Sequence, residues 1–390
     1  MPYINLRVHQ VDSDSDRKKL VKFPFRLYKD DPCWVAPLIA DREKELDPAH
    51  NPSFEYLEVA YFVAEAVPVS EPKSGGTEQI VGTIAAIYNP NHMETHNDRT
   101  GFFGLFEVVN DYEIAEALLD AASDWLRQKD CNAIRGPITF TMNDVVGMLV
   151  DGFDDSPRIL MPYNMPYYPE FVEAYGFERE MDLLAYKFDL VEEFSSVEKF
   201  PPKLLRVVEK LKAKSNMTLR TADMDDLDNE VLLLKDIYNQ AWELNWGAVP
   251  ITDAELMHTA AALKPILDPD LLMFVEVDGK QVGVALTLPD FNFVLQKMGG
   301  HLFPFGVFKA LWYQNKIPWA RVWALGVIPE YRKRGVDAVL FFETAKETVR
   351  KGYHNVEASW ILETNDPMNL LLRNFGGVVY KRYRAYQKDI

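Results

Sequence analysis

The chain has 390 residues, and its 42 Lys and Arg against 59 Asp and Glu give a formal net charge of −17 at pH 7. This acidic balance excludes a protein whose main task is to grip nucleic acid or an anionic membrane, so any basic site must be local. The length allows two or three domains, and the hydrophobic content of 48% is typical of a globular chain.

Two cysteines occur, Cys33 and Cys131, and neither belongs to a CxxC pair or to a zinc-ligand spacing. We therefore expect no disulfide framework, no metal site and a reducing, cytoplasmic location. The first residues lack a basic stretch followed by an apolar one, and no run of about 18 apolar residues occurs. The sequence predicts no integral membrane segment.

Strand and helix patterns alternate along the N-terminal half, which is typical of an α/β fold. The histidines at 92 and 96 lie among Asn and Pro residues, so we interpret this stretch as a polar loop and not as a metal site. The predicted strands are 61–66, 80–88, 102–109, 133–140 and 183–189, and the predicted helices are 113–129 and 168–175.

The C-terminal half repeats this order after a segment at 191–202 that contains Ser, Glu and a Pro pair. A hairpin is predicted where Asp278 and Gly279 separate two apolar runs. The predicted strands are 271–277, 281–288, 321–328, 356–362 and 378–387, and the predicted helices are 225–242, 336–350 and 367–375.

The two halves are related in sequence. An offset of 222 aligns residues over 104–143, and an offset of 200 aligns residues over 176–189, which leaves an insertion at 144–165 in the first copy. The aligned pairs are Gly104 with Gly326, Ile114 with Val336, Leu118 with Leu340, Lys129 with Lys351, Asn143 with Asn365, Gly176 with Gly376, Ala185 with Ala385, Tyr186 with Tyr386 and Asp189 with Asp389. The sequence thus predicts domains at 1–190 and 217–390, with a linker and helix at 191–216.

A basic glycine turn marks the second copy. It lies in LGVIPEYRKRGVDAVLFFETA, residues 325–345, where Pro329 ends a strand and a helix begins near Val336. The first amides of a helix have no acceptor within it, and its dipole is positive at that end. With Arg332, Lys333 and Arg334 beside Gly335, this turn is typical of an anion site.

These residues resemble the signature of the GNAT superfamily of acyl-CoA-dependent acyltransferases. The family places V-x-P before R/Q-x-x-G-x-G/A, and Val327, Pro329, Arg332 and Gly335 match it, whereas Asp337 departs from it. The segments DPCWVAPL, GFFGLFE, VDGFD and SWILETN resemble an uncharacterised bacterial group of tandem GNAT proteins. The resemblance implies an α/β fold, with a mixed sheet, built from two tandem GNAT-like acyl-CoA N-acyltransferase units.

The resemblance also implies roles for single residues. Backbone groups of Leu325 and Val327 would meet the thioester and pantetheine, and Asn365 would meet the cofactor arm. The usual general-acid Tyr corresponds to Leu372, so that role is vacant or is filled by Tyr353, Tyr380, Tyr383 or Tyr386. The pyrophosphate would be held by the turn and the first helical residues, namely Arg332, Lys333, Arg334, Gly335, Val336 and Asp337.

The strand predicted at 356–362 offers a base. Alternation places Glu357, Ser359 and Glu363 on one face, and a carboxylate there could deprotonate an amine directly or through a water. Glu357 is our preferred base because it is internal to the strand; a solvent-facing strand edge explains the pattern equally well.

The first copy lacks the basic turn. At the offset of 222, residues 110–115 read NDYEIA, with no Arg, no Gly and two acidic side chains that would repel a polyphosphate. We interpret 1–190 as a degenerate GNAT-like domain.

Nine of the 33 residues at 291–323 are aromatic, and two interpretations stay open for this segment. It lines a tunnel for a long acyl tail or a large acceptor, or it is a helix packed between the copies.

The function that we expect is transfer of an acyl group, acetyl in the first instance, from a CoA thioester directly to an amine. The co-substrate is acetyl-CoA or a longer acyl-CoA, with no metal, and the acceptor is a small-molecule or peptide amine and not nucleic acid. The absence of cysteine from the second copy disfavours a thiol nucleophile. The alternatives are a non-catalytic acyl-CoA binder or sensor, and a long-chain acyltransferase.

Overall fold

The structure is a computed structural model that describes residues 3–69, 78–190, 202–214 and 216–390. The boundary segment predicted at 191–202 lies, apart from its last residue, outside the described residues. Within the described ranges, no helix has both the length and the apolar character needed to cross a bilayer. The same ranges hold no group of three or more His, Cys, Asp or Glu side chains placed to hold a metal ion.

The chain forms two compact units. The first contains the described parts of Met1–Leu183, Met298–Pro304 and Lys381–Ile390, and the second contains those of Leu184–Lys297 and Phe305–Tyr380. The end of the last strand therefore belongs to the first unit. The sequence division at 1–190, 191–216 and 217–390 follows the repeat and stays a prediction.

The first unit is a sheet with helices packed on it. Its strand order is β1-β2-β3-β4-β5-β13, where β13 is the last strand of the chain (Val378–Asp389), and β6 also pairs with β13. Helix α4 buries Ile114, Leu118 and Ala122 in the main core. The elements are β1 (Tyr3–Gln10), α1 (Asp14–Leu27), α2 (Ile39–Glu45), β2 (Glu58–Pro68), β3 (Gln79–Tyr88), α3 (Pro90–His96), β4 (Thr100–Val108), α4 (Tyr112–Arg127), β5 (Ala133–Gly136), β6 (Met148–Asp151), α5 (Tyr168–Ala174) and the start of β7 (Glu178–Asp189).

The second unit has the strand order β7-β12-β11-β10-β9-β8, to which β7 contributes residues from 184 onwards. Asp278 and Gly279, both at positive φ, close the predicted hairpin. The elements are α6 (Pro202–Lys214), β8 (Met217–Thr221), α7 (Leu227–Trp242), α8 (Asp253–Leu263), β9 (Leu272–Val277), β10 (Lys280–Pro289), α9 (Asn292–Met298), α10 (Gly306–Tyr313), β11 (Trp319–Val327), α11 (Val336–Arg350), β12 (Asn355–Leu362), α12 (Asp366–Asn374) and β13 (Val378–Asp389).

Helices cover both faces of the second sheet. Phe341 of α11 and Leu372 of α12 pack on Val322 and Ala358. On the opposite face, α7 approaches β11 so closely that a Cβ on Gly326 would lie 2.2 Å from the Trp242 ring. The predicted alternation of strand 356–362 is confirmed for Val356 and Ala358, which belong to the core under these helices. It is wrong beyond Ser359, since Ile361 packs against this core and Trp360 instead lies against Arg321.

Two predictions for the first unit are wrong. The strand predicted at 133–140 ends at Gly136, because Pro137 has no amide to donate to the ladder. Residues 90–96 form a helix and not a loop, because Asn89 caps the first turn and accepts from the amide of His92. His92 is buried on this helix.

Candidate active site

The basic turn leads directly into helix α11. The helix begins at Val336, with Gly335 as its N-cap at φ 81°, and Lys333 is also left-handed at φ 61°. Gly335 provides no side chain to cap the helix, so the amides of its first turn face the turn without an intrahelical acceptor. A Cβ on Gly335 would lie 2.8 Å from Leu211 of α6, which gives a second reason for glycine here.

The three basic side chains of the turn differ in their contacts. The Arg332 guanidinium donates to the carbonyl of Val327 at 3.2 Å and to that of Ala241, at the end of α7, at 2.6 Å. Arg332 therefore braces the turn against β11 and α7. Lys333 and Arg334 are exposed, and the Arg334 guanidinium lies 4.7 Å from the centroid of the Tyr331 ring. Asp337 lies in the first helical turn, as expected.

Strands β11 and β12 separate beside this turn. Their parallel register runs from Trp319 with Asn355 to Val322 with Ala358, whereas β11 continues to residue 327 and β12 to residue 362. Beyond the last paired residues, the backbone N–H and C=O groups of β11 and β12 no longer pair with one another, so they need other hydrogen-bond partners. The parts of the chain assigned to thioester and pantetheine, at 325 and 327, lie on this separated stretch of β11.

A β-bulge marks the point of separation. In the β10–β11 pairing, Leu286 faces Ala324 and Thr287 faces Val322, so Trp323 is the extra residue. The Trp323 ring stacks with Tyr238 of α7 at 6.4 Å between centroids. The bulge thus changes the direction of β11 where the strands part.

Four side chains form a hydrogen-bonded cluster next to the last paired residues. The Arg321 Nε donates to Ser359 Oγ at 2.8 Å, and Ser359 Oγ donates to Glu357 Oε1 at 2.7 Å. The Tyr380 hydroxyl donates to Glu357 Oε2. Arg321 Nε also lies 3.7 Å from Glu357 Oε1, and both side chains are 0% exposed.

Burial decides how this cluster can meet a substrate. Glu357, Arg321 and Ser359 are buried, whereas Tyr380 is only partly buried. Tyr380 is thus the most exposed member of the cluster. The sequence predicts the face that carries Glu357 and Ser359, and the structure adds Arg321 and Tyr380 as their partners.

The remaining predicted residues lie at the ends of β12 and α12. Glu363 is half-buried and directly follows the last residue of β12. Asn365 is the N-cap of α12 and accepts from the amide of Met368 at 3.3 Å, so its side chain already has a structural task. Leu372 is buried in the core, which agrees with its lack of an acid role.

The other tyrosines proposed as the acid have different surroundings. Burial raises the pKa of Tyr353 to about 12. Tyr383 and Tyr386 are 0% exposed and belong to the first unit. Of the four candidates, Tyr380 contacts the predicted base.

An apolar cavity lies on the α7 and α8 face of the second unit. It has a volume of about 40 Å³, and Val231, Leu263, Leu286 and Trp323 are among the side chains that line it. Thr259 is its one polar side chain. The bulge residue of β11 thus forms part of an apolar wall.

The first unit differs at the position of the basic turn. Helix α4 begins at Tyr112 with Asp111 as its N-cap, and the Asp111 carboxylate accepts from the amide of Glu113 at 3.2 Å. An acidic side chain thus occupies the helix end that is open in the second unit. The carbonyl of Val108, at the end of β4, accepts from the Tyr167 hydroxyl at 2.8 Å.

A half-buried carboxyl group lies beside this strand end. Glu107 Oε2 accepts from the Tyr28 hydroxyl at 2.6 Å and from the Tyr168 hydroxyl at 2.8 Å. Burial raises the pKa of Glu107 to about 7, against the lowering effect of the two tyrosine donors. The Tyr168 hydroxyl also accepts from the amide of Val108.

No family model matches the sequence. Protein YghO of Escherichia coli (strain K12) is 34% identical over 385 residues, which cover 96% of this chain and 93% of that protein. The bacterial ceramide synthase of Caulobacter vibrioides (strain NA1000 / CB15N) is 34% identical over 393 residues, which cover 99% of this chain and 98% of that protein. The chain belongs to the family of these two proteins.

The fold is that of the GCN5-related N-acetyltransferases in tandem. The structure of a tandem GNAT protein from the clavulanic acid biosynthesis pathway aligns with a TM-score of 0.57 and 13% identity, over 99% of this chain and 98% of that one. The predicted resemblance and fold class, an α/β chain of two GNAT-like units with a mixed sheet, are confirmed.

Proposed function

We propose that the second unit transfers an acyl group from a CoA thioester directly to an amine. The observation that carries this proposal is the combination, at one end of β11, of a strand separation and a helix whose first amides face a basic turn. The separated strand edges offer backbone hydrogen bonds to a pantetheine amide, and the turn offers charge to phosphates. Lys333, Arg334 and the amides at Val336 and Asp337 would hold the pyrophosphate, with Arg332 fixing the turn.

Acyl-CoA supplies an activated carbonyl carbon with a thiolate leaving group. This chain supplies proton transfer and position: Tyr380 accepts a proton from the amine while its own proton passes to Glu357, and Arg321 and Ser359 hold the carboxylate in place. A new amide bond forms and the thioester bond breaks. The proton held by Glu357 then passes back through Tyr380 to the thiolate, which restores the carboxylate and releases CoA as the free thiol.

We further propose a long-chain acyl group and a long-chain amino alcohol as the acceptor. Support comes from the relative named a bacterial ceramide synthase, since a ceramide is the amide of a fatty acid and such an amino alcohol. The apolar cavity beside Trp323 has a volume of about 40 Å³, which is far too small for a long acyl chain, so the support for this assignment is the named relative and not the cavity.

The test is to incubate the purified chain with dihydrosphingosine and either palmitoyl-CoA or acetyl-CoA, and to follow free thiol and the mass of the product. We expect the palmitoyl amide and one equivalent of thiol. Formation of the acetyl amide alone would keep N-acyl transfer and overturn the long-chain assignment.

The same assay addresses the alternative of a non-catalytic acyl-CoA binder, which the buried Leu372 at the usual acid position favours. A chain that binds palmitoyl-CoA with one-to-one stoichiometry, but releases no thiol above the buffer rate with any amine offered, would be such a binder. That result would overturn the proposed transfer.

A further inference from the structure

Helix α10 and its flanks carry large apolar side chains on the surface of the second unit. Phe305, Phe308, Leu311 and Trp312 are 70, 70, 60 and 67% exposed. Both sequence interpretations of this segment, a tunnel lining and a packed helix, need these side chains buried and are therefore wrong for them. Clustered apolar exposure of this kind is uncommon on a soluble protein and marks a contact surface.

The charge around this surface is opposite to that of the chain as a whole. No acidic residue occurs from 291 to 329, although a chain with 59 acidic residues in 390 would average about six in that length. Lys297, Lys309 and Lys316 lie in the same stretch. In a chain with a net charge of −17, a basic surface has to be a local patch, and this stretch is one.

Contacts on one side hold the helix with its apolar side chains outward. Lys309 Nζ donates to the carbonyl of Lys297 at 2.7 Å, and the Tyr313 ring meets the Phe293 ring edge to face at 6.1 Å between centroids. Lys316 Nζ lies 4.3 Å from the centroid of the Trp312 ring. An ammonium group thus lies beside the exposed indole.

We propose that this surface, defined as Phe305, Phe308, Leu311, Trp312, Lys309 and Lys316, binds the interface of an anionic phospholipid bilayer. Trp and Phe side chains insert at the level of the headgroups and upper acyl chains, and Lys side chains bind lipid phosphates. The helix lies in the interface and does not span it. This inference depends on the exposure and charge of the segment and not on the proposed reaction.

Charge distinguishes the bilayer from a second copy of the chain as the occupant. In a two-fold symmetric contact the same patch meets itself, so the lysines of one copy would face those of the other. An anionic bilayer offers both the apolar phase and the opposite charge.

The test is co-sedimentation of the full chain with vesicles of phosphatidylglycerol and phosphatidylcholine, compared with pure phosphatidylcholine. We expect binding to the anionic vesicles that weakens with salt. The Phe308→Ser, Trp312→Ser variant should lose it at least tenfold, and Lys309→Gln, Lys316→Gln should lose the dependence on anionic lipid. The matched control is Leu370→Ser with Val378→Ser, two side chains that are 61 and 66% exposed outside the segment.

Three results would overturn the proposal. One is equal loss of vesicle binding in the control variant. Another is no binding by the parent chain, and a third is self-association that the Phe308→Ser, Trp312→Ser variant abolishes while vesicle binding is unchanged. Thermal unfolding of each variant verifies that it is folded, and a Trp312→Phe variant, which keeps the apolar ring, should retain most of the binding.

Discussion

At the scale of single residues, the buried pair of Arg321 and Glu357 is the most consequential feature of the site. Each charge loses its hydration, and the hydrogen bonds through Ser359 and Tyr380 offset part of that cost. Because of this desolvation cost, a buried ion pair contributes little net stability. Its position, at the last residues before β11 and β12 part, connects it with catalysis.

Replacement of Glu357 by Gln should lower kcat by about 10² to 10⁴ and leave the affinity for acyl-CoA unchanged, because the amide cannot accept a proton. The loss should shrink as the pH rises and the amine deprotonates in solution. The variant also removes the negative charge beside the buried Arg321 guanidinium, so the free energy of unfolding should fall by at most about 3 to 5 kcal/mol. Steady-state kinetics against pH, with thermal unfolding, measures both effects.

A pair of Tyr to Phe variants separates the proton path from general packing. We expect Tyr380→Phe to lower kcat at least tenfold, whereas Tyr353→Phe, a half-buried tyrosine of the same unit, should be close to the parent chain. Parent-like turnover in both Glu357→Gln and Tyr380→Phe at neutral pH would refute the role and move attention to Glu363.

The carboxyl group of Glu107 predicts a pH effect on stability. Its folded pKa, about 7, is above the ordinary value of 4.5, so its contribution to stability is complete below about pH 4.5 and is lost as the pH rises through 7. Glu107→Gln resembles the protonated form at every pH. Calorimetric unfolding should show the variant similar to the parent near pH 5 and more stable at pH 8, by up to about 3 kcal/mol. A stability difference independent of pH would contradict this account.

At the scale of elements, the basic residues before α11 have two different tasks. Lys333 and Arg334 are the ones proposed to bind phosphate, whereas Arg332 holds the turn against β11 and α7. We expect Lys333→Ala with Arg334→Ala to weaken CoA binding tenfold or more, since charge-assisted hydrogen bonds are worth about 1.5 to 3 kcal/mol each. Arg332→Ala should lower thermal stability as well, because it removes the contacts with Val327 and Ala241. Calorimetric titration with CoA and thermal unfolding distinguish the two. Unchanged affinity in the Lys333, Arg334 variant would exclude the turn as the phosphate site.

Local chemistry made some element boundaries predictable, although the cap at Asn89 and the strand end before Pro137 were missed. The helix predicted at 336–350 is observed with those bounds, because Gly335 at its start supplies a conformation that few residues adopt. The bulge at Trp323 was not predictable, since it exists only relative to the register of β10. The exposure of the apolar side chains of α10 was also not predictable, because the sequence of an aromatic segment does not show whether its side chains are buried or exposed.

At the scale of the whole chain, the repeat predicted the tandem fold but not which strands share a unit. Residues 381–390 end the second copy in sequence and belong to the first unit by contact. In the same way, sequence analysis identified Glu357 but not its partner Arg321, because the two residues become neighbours only through the pairing of β11 with β12. Residues that are distant in sequence and meet only in the folded sheet leave no pattern in the local sequence.

The central claim, that the second unit alone holds the CoA group, is tested most directly by calorimetric titration of the full chain with a non-hydrolysable acyl-CoA thioether. We expect one site per chain, because the first unit caps the corresponding helix with Asp111. The Lys333→Ala, Arg334→Ala variant should weaken binding at this site, and Asp111→Asn should leave it unchanged. Two equivalent sites per chain, or a single site indifferent to the Lys333, Arg334 change, would contradict it.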